Sequence, residues 1–214
     1  MTLLSDALVD GGDGQGRGLI DGVTVGVVTD NTDPDGLARV RVRLPWHDEG
    51  NVSDWARIAT PMAGKNYGTF FLPEIGDEVL VAAEQGDPSH LYVLGMLWNG
   101  RIKPPETNAD GRNDKRFIKT RGGHQLMFND GEGTSLASLS LEDGKTLTLD
   151  NDGIRIDDGR GNKIEIDSQS GAITIEAAAT LSLKSKMVKI EADASLELKS
   201  SGTLTVKGTL VQIN

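Results

Sequence analysis

The chain has 214 residues, a formal net charge of −10 and no cysteine. The negative charge argues against a nucleic-acid-binding protein, because such proteins usually present a basic surface to phosphates. The lack of cysteine excludes disulfides and a cysteine nucleophile, and it fits a reducing cytoplasm. Glycine is abundant, at 27 residues, while aromatic residues make up only 4%. This balance favours a thin, repetitive fold over part of the chain.

Residues 1–18 form the first of three zones. Residues 11–18 are Gly-rich and predict a flexible linker. Before them, four apolar residues would form one stripe of a short helix: Leu3, Leu4, Ala7 and Leu8. A docking helix and a frayed terminus are both open interpretations of this stretch. It has no basic n-region, and nowhere does the chain approach ~18 consecutive apolar residues, so we expect neither a signal peptide nor a transmembrane helix.

Residues 19–100 form the second zone, in which apolar and polar residues alternate over short segments. This alternation predicts strands at 23–28, 38–44, 54–59, 68–73, 78–83 and 91–97. Asp33-Pro34-Asp35-Gly36 predicts a turn, since proline fixes φ and glycine tolerates a positive φ. Short strands with tight turns and few helical signals predict a small closed β-barrel.

The third zone follows a Pro-Pro break. Residues 101–116 are polar and predict a linker, and residues 117–214 carry aliphatic pairs whose members lie two residues apart. The pairs recur every seven or eight residues, with longer steps near Gly159 and Gly171. Each unit predicts a strand of about five residues with two side chains facing inwards. The pairs are Leu139/Leu141, Leu147/Leu149, Ile154/Ile156, Ile164/Ile166, Ile173/Ile175, Leu181/Leu183, Val188/Ile190, Leu196/Leu198, Leu204/Val206 and Val211/Ile213.

The energetics of one repeat require further copies of the chain. Ordering five backbone residues costs roughly 5–10 kcal/mol, whereas burying two aliphatic side chains returns roughly 3–6 kcal/mol. A repeat near eight residues also supplies only one face, so three copies around a threefold axis would complete a triangular prism. The predicted trimer core is Ile164, Ile166, Ile173, Ile175, Leu181, Leu183, Val188, Ile190, Leu196, Leu198, Leu204 and Val206.

The outward positions of the repeats are charged and alternate in sign, as in Lys163, Glu165 and Asp167. Opposite charges on neighbouring strands can pair for a small gain. A polar exterior would not dissolve in lipid, so such a needle would cross a membrane only when driven mechanically. Ten stacked strands would give a shaft of roughly 50 Å.

Several motifs resemble one family. The residues Pro73-Glu74-Ile75-Gly76-Asp77-Glu78-Val79-Leu80-Val81, with Gly86-Asp87-Pro88 downstream, resemble the OB-fold domain of contractile-tail spike proteins. This family includes phage baseplate assembly protein V and the VgrG proteins of type VI secretion. Further matching stretches lie at 26–28, 36–42, 55–59 and 92–100. Residues 118–126 resemble the family's entry into its needle, and residues 211–214 resemble its blunt end.

The resemblance implies an all-β protein with an N-terminal OB-fold barrel and a trimeric triangular β-helix or β-prism needle. It implies a structural central spike, assembled into a phage tail-like particle after synthesis in the cytoplasm and pushed through an envelope by sheath contraction. Only about eighteen residues precede the barrel, so we expect the hub to be a separate protein. Cargo effectors are further candidate partners.

The tip of the needle is expected to be another protein. Some short phage spikes bind iron through a His-x-His motif at the tip, but the histidines here are His47, His90 and His124. We therefore expect no metal and no other cofactor. A separate PAAR-type protein would instead bind the last residues of the chain, which are Leu210, Val211, Gln212, Ile213 and Asn214.

Sites for chemistry are few, and no enzyme is expected. Asp33-x-Asp35-Gly36 and the Asp/Gly runs at 150–153 and 157–162 suggest calcium loops, but turns explain them better. His47 beside Asp48 and Glu49 suggests a metal or acid–base site, for which a loop cluster is the simpler interpretation. His124 is assigned to a turn. No P-loop, Gly-x-Ser-x-Gly or paired-histidine zinc motif occurs.

Two alternative functions remain open at this stage. Arg39, Arg41 and Arg43 share one strand face that could follow a phosphate backbone, which would make the chain a nucleic-acid-binding OB-fold module with a β-rich oligomerisation tail. Trp46 and Trp55 could then stack on bases, although core or interface anchoring is the simpler role. A single-chain β-helix enzyme acting on polysaccharide is the weaker alternative, because the repeat is short.

Overall fold

The computed structural model describes residues 20–45 and 52–213. Within these ranges the secondary structure consists of strands and turns, with no helix, so the all-β prediction is confirmed. The chain divides into two compact units, Met1–Thr107 and Asn108–Asn214. The N-terminal segment at residues 1–18, for which a docking helix and a frayed terminus were both open interpretations, lies outside the described residues.

The first unit is a small barrel. Its five-stranded sheet has the order β2-β1-β6-β7-β3, in which β3 runs parallel to β7 and the other neighbours are antiparallel. Val40 and Ala56 exchange two backbone hydrogen bonds, of 3.0 and 2.8 Å, and this bridge closes the sheet between β2 and β3. The strands are β1 (Val23–Asp30), β2 (Arg41–Arg43), β3 (Arg57–Ile58), β4 (Ala63–Gly64), β5 (Tyr67–Gly68), β6 (Glu78–Glu84) and β7 (Asp87–Leu97).

Valine side chains fill the barrel. In β6 the side chains of Val79 and Val81 are buried while Leu80 between them is half-buried, which is the period-two pattern of a strand with one face on the core. Fully burying such a side chain contributes about 1.5–3 kcal/mol. The core consists of Ile20, Val28, Val40, Val42, Leu44, Ala56, Val79, Val81, Leu91 and Val93.

Three strand predictions in the barrel were wrong in extent, and the predicted strand at 54–59 is reduced to Arg57–Ile58. Of the predicted strand at 68–73, only Gly68 lies in a strand, and residues 69–73 run as a loop that ends in the buried Pro73. The predicted strand at 38–44 begins only at Arg41, because Ala38 has a left-handed φ of 56°.

The second unit is an antiparallel meander. Each of its seven strands pairs with the next along the chain. The strands are β8 (Lys115–Lys119), β9 (Gln125–Asn129), β10 (Leu136–Ser140), β11 (Thr146–Asp150), β12 (Gly153–Asp157), β13 (Lys163–Asp167) and β14 (Ile173–Glu176). The first of them begins two residues before the predicted start at 117.

Aspartate side chains cap the turns of this meander. The Asp150 carboxylate accepts hydrogen bonds from the backbone N–H groups of Asp152 and Gly153, at 2.9 and 3.0 Å. Gly153 is required there, since a Cβ at this position would lie 1.8 Å from the carbonyl oxygen of Ile166. The Asp167 carboxylate caps the β13–β14 turn in the same way. The Asp158 carboxylate accepts hydrogen bonds from the backbone N–H groups of Arg160 and Asn162, at 2.8 and 3.0 Å, so the Asp/Gly runs at 150–153 and 157–162 are turns, as predicted.

Residues 177–213 differ from the meander. The structure assigns them no strand, although the aliphatic pairs continue through them at the same spacing. All of these residues are exposed. In a single chain this segment therefore lacks the backbone ladder that satisfies the N–H and C=O groups of β8–β14.

Candidate functional site

One face of the meander carries two columns of apolar side chains. The registers place Ile164 directly between Ile156 and Ile175, and Ile166 between Ile154 and Ile173. The first column is Ile118, Leu126, Leu139, Leu147, Ile156, Ile164 and Ile175. The second column is Phe128, Ala137, Leu149, Ile154, Ile166 and Ile173. Together they are called here the aliphatic face.

The aliphatic face is uncovered in a single chain. Eleven of its side chains are between 36% and 68% exposed. Soluble monomers rarely expose continuous apolar patches larger than a few hundred Å², and larger patches mark interaction sites. The face therefore needs a partner surface, and four of the residues predicted for the trimer core lie on it: Ile164, Ile166, Ile173 and Ile175.

The opposite face of the meander carries charged side chains in β11–β14 that pair within the chain, and it carries Phe117, Met127 and Leu136 in β8–β10. Arg155 donates hydrogen bonds to Asp150 at 2.7 Å and to Glu165 at 3.2 Å. The hydrogen bond from Arg155 lowers the pKa of the Asp150 carboxyl, and the same bond raises the pKa of Arg155. Lys163 lies 3.2 Å from Glu176 at the edge of the same sheet. These ion pairs form within one chain, in contrast to the aliphatic face, whose side chains are uncovered.

The other predicted core residues lie in residues 177–213. Each is between 55% and 71% exposed, and a single chain does not bring them together into a core. They are Leu181, Leu183, Val188, Ile190, Leu196, Leu198, Leu204 and Val206. Leu181 does reach the aliphatic face, because it lines one apolar groove together with Ile164 and Ile175. The residues predicted to bind a tip protein are also exposed, apart from Asn214, which lies outside the described residues.

Two of the three arginines considered for nucleic-acid binding, Arg39 and Arg41, have partners in the barrel. Arg39 forms a two-pronged ion pair with Asp33, at 2.7 and 2.8 Å, and also contacts Asp35 at 2.6 Å. The Asp33 side chain is 2% exposed. The guanidinium holds the pKa of this carboxyl well below its ordinary value. Arg39 therefore locks the 33–36 turn and is not a free phosphate contact.

Arg41 and Trp55 also contact each other. The Arg41 guanidinium lies 5.1 Å from the centre of the Trp55 ring, in a cation–π arrangement. This contact occupies one face of the ring that a base would need. Trp46 lies outside the described residues, as do His47, Asp48 and Glu49.

The remaining candidate sites are turns. The backbone N–H and C=O of His124 bond to Thr120 and close the β8–β9 turn, as predicted. His90 contacts Asp87 at 3.1 Å on the barrel surface.

Within residues 20–45 and 52–213, no group of three or more His, Asp or Glu side chains is arranged to hold a metal ion. The described part of the chain also has no helix long and apolar enough to cross a membrane.

The sequence interpretation missed an apolar groove on the barrel. Met62, Tyr67, Phe70 and Phe71 line it, and each is at least half exposed. A signal was present in the adjacent pair Phe70-Phe71. In the predicted strand at 68–73, neighbouring side chains would point to opposite faces, so only one of the two rings could enter the core.

These features define a class: a two-unit all-β protein with a barrel and a strand-built tail whose apolar face requires a partner. Comparison with known families agrees. Residues 24–98 match the injector OB domain of type VI secretion systems and phage baseplates. Residues 115–173 match the C-terminal trimerisation domain of phage baseplate V proteins.

The two matches cover more than half of the chain, and the chain belongs to the family of VgrG-like baseplate spike proteins. The predicted OB-fold and family are confirmed, and the second match supports a homotrimer.

Individual relatives are spike proteins of type VI secretion. VgrG1b of Pseudomonas aeruginosa is 29% identical over 147 residues, which is 64% of this chain and 20% of the relative. VgrG1a of the same organism is 32% identical over 120 residues, or 53% of this chain and 19% of the relative. VgrG3 of Vibrio cholerae is 27% identical over 117 residues, or 50% and 11%. The matched regions thus span a fifth or less of these relatives.

Proposed function

We propose that the chain is the central spike of a contractile injection particle, in which three copies bury their aliphatic faces around a common axis. The observation that carries this proposal is the pair of continuous, exposed apolar columns, all of whose members except Ile175 lie within the residues that match a trimerisation domain. The trimer core then comprises Ile164, Ile166, Ile173 and Ile175, and continues through the eight aliphatic residues from Leu181 to Val206. Burial between copies removes the cost of exposing these side chains to water.

The proposed domain arrangement follows the predicted boundaries. Residues 1–18 are an N-terminal segment, 19–100 the OB-fold domain, 101–116 a linker and 117–214 the intertwined trimeric spike. The barrel would attach to a separate hub protein, and the C-terminal residues would bind a PAAR-type tip protein. Ile213 supports the contact with a tip protein, because its side chain is 92% exposed at the end of the described residues.

The proposed role is mechanical. The chain would be made in the cytoplasm, assembled into a phage tail-like particle and driven through a target envelope when the sheath contracts, with cargo effectors attached in some particles. No catalytic step is assigned to it. The polar face with its Arg155 ion pairs supports this role, because it would keep the shaft exterior hydrated.

Imaging of purified particles tests the proposal. Contractile particles from cells that encode this chain should carry three copies at the distal end of the tail tube, in contact with a tip protein. Particles from cells with Ile164→Asp should lack the spike density. Particles that assemble and contract normally without the chain would contradict the proposal.

The nucleic-acid alternative has less support from the geometry. It needs free arginines and free aromatic rings on the barrel. Arg39 is instead held by two carboxylates, and the Arg41 guanidinium covers Trp55.

A further inference from the structure

The junction between β14 and the segment 177–213 has a specific contact. The in-chain ladder ends at the pair Lys163 and Glu176. Two residues later, the backbone N–H of Ala178 donates a hydrogen bond to the side-chain Oδ1 of Asn162, at 3.0 Å. A side-chain oxygen thus replaces a backbone carbonyl at the point where pairing within the chain stops.

Asn162 is itself held in a fixed orientation. Its side-chain amide and its backbone N–H both donate to the Asp158 carboxylate, the latter at 3.0 Å. The backbone carbonyl of Asn162 accepts a hydrogen bond from the backbone N–H of Asp158, at 3.1 Å. The hydrogen bond from the Asn162 side chain is the largest cause of a lowered pKa at Asp158. The Asn162 amide is therefore oriented with its oxygen towards Ala178.

Packing supports the same junction. Gly161 has a left-handed φ of 99°, and a Cβ there would lie 3.4 Å from the Ala178 Cβ. The loop between β12 and β13 thus contacts the departing segment through the Asn162 hydrogen bond, and the lack of a side chain at Gly161 leaves room for the Ala178 methyl group beside it.

The direction in which residues 177–213 leave the meander determines where their first aliphatic side chain lies relative to the aliphatic face. Leu181 follows Ala178 by three residues and lines one groove with Ile156, Ile164 and Ile175. The apolar column of the meander therefore continues into the first aliphatic residue of the segment 177–213. An error in direction at Ala178 would move Leu181, and each later pair, off the line of the column.

We propose that Asn162 is a positioning residue: by accepting the Ala178 N–H, it sets the direction in which residues 177–213 leave the meander and so aligns three copies of that segment for pairing between chains. This inference rests on the proposed trimeric needle. It adds a role for one side chain that does not itself lie on the aliphatic face.

Limited trypsin digestion and hydrogen exchange of the full-length chain test this role. The segment contains five lysines that report its order: Lys184, Lys186, Lys189, Lys199 and Lys207. Asn162→Ala should keep the trimer mass and the exchange protection of residues 115–176. It should raise amide exchange and tryptic cleavage within 177–213 by about tenfold or more, because local opening there becomes easier. Asn151→Ala, the same substitution in the β11–β12 turn, should behave as the parent does.

A double variant that exchanges the residues at positions 158 and 162 tests whether the contact with Ala178 can be restored. Asp158→Asn combined with Asn162→Asp keeps the net charge and supplies a donor amide at 158 and an acceptor oxygen for Ala178 at 162. This double variant should regain the parent's protection of 177–213. Failure of the rescue, or a loss of trimer mass in Asn162→Ala, would overturn the positioning role.

Two further outcomes separate this inference from the proposed function. If the parent is a trimer with a protected segment and Asn162→Ala is equally protected, the positioning role is wrong and the trimeric needle stands. If the parent itself is a monomer or leaves 177–213 unprotected, the proposed needle is wrong and the inference fails with it.

Discussion

A charge on the aliphatic face should abolish the trimer. Ile164 lies in the middle of one apolar column, between Ile156 and Ile175, and is 40% exposed in a single chain. Ile164→Asp would bring three carboxylates into the proposed core, one from each copy. The register places an aliphatic side chain directly opposite Ile164 on each adjacent strand, whereas the cation of β12, Arg155, lies on the other face of the sheet.

The expected loss of stabilising free energy in the Ile164→Asp trimer is large compared with the stability of a folded protein. Truncating a buried Ile costs about 2–5 kcal/mol, and burying an unpaired charge costs several kcal/mol more per ion. Three copies together lose on the order of 10 kcal/mol or more, which is comparable to the 5–15 kcal/mol that stabilises a typical protein.

Thr148→Asp is the matched control. It adds the same charge to the same sheet, but Thr148 lies on the polar face and pairs with Arg155 across β11 and β12. Its carboxylate would remain hydrated beside a cation, so its effect should stay within about 1 kcal/mol.

Sedimentation equilibrium and thermal unfolding of the two variants decide the outcome. We expect Ile164→Asp to sediment as a monomer with a lower unfolding temperature, and Thr148→Asp to sediment as the parent. An Ile164→Asp trimer as heat-stable as the parent would show that Ile164 faces solvent in the assembly, and the proposed core would be wrong.

Three further predictions concern the barrel and the segment 177–213. Asp33 has a pKa lowered by Arg39, so its contribution is present above the ordinary Asp pKa near 3.9 and is lost as the pH falls through the folded value. Acid unfolding monitored by circular dichroism should therefore show a weaker pH dependence for Asp33→Asn; an identical profile would contradict this. A chain truncated after Glu176 should still sediment as a trimer, since the family match ends at residue 173; a monomer would show that the later pairs are essential for association. Fluorescence anisotropy should detect no binding of single-stranded DNA at low salt, and salt-dependent binding lost in Arg41→Ala would restore the nucleic-acid alternative.

Much of the architecture follows from side-chain periodicity. The alternation around Val79 and Val81 predicts a strand with one buried face, and the structure confirms it. The aliphatic pairs predict strand units, and the pairs from Leu139/Leu141 to Ile173/Ile175 fall in or directly beside strands β10–β14. Periodicity succeeds here because a strand places every second side chain on one face.

The division between the meander and the segment 177–213 could not be predicted from the same repeat. Ile164/Ile166 and Leu196/Leu198 have the same spacing, yet only the first pair lies in a strand with in-chain neighbours. The difference depends on turns. Asp150, Asp158 and Asp167 cap the reversals of the meander, and the strand pairings follow from these caps.

The sequence alone also could not predict which particular side chains meet across neighbouring strands. Arg155 meets Glu165 because the register of β12 and β13 places them opposite each other. Register depends on the turn between two strands, and a one-residue slip would exchange their faces. Asn162 and Ala178 meet for the same kind of reason, through the end of a ladder that no local pattern marks.

The central claim is that three copies bury the aliphatic face, and the solution mass of the full-length chain tests it most directly. Light scattering coupled to size-exclusion chromatography, repeated over a dilution series, should give 3 × 22.8 = 68.4 kDa at every concentration. A stable mass of 22.8 kDa would mean that a single chain tolerates its exposed aliphatic columns, and it would contradict the account.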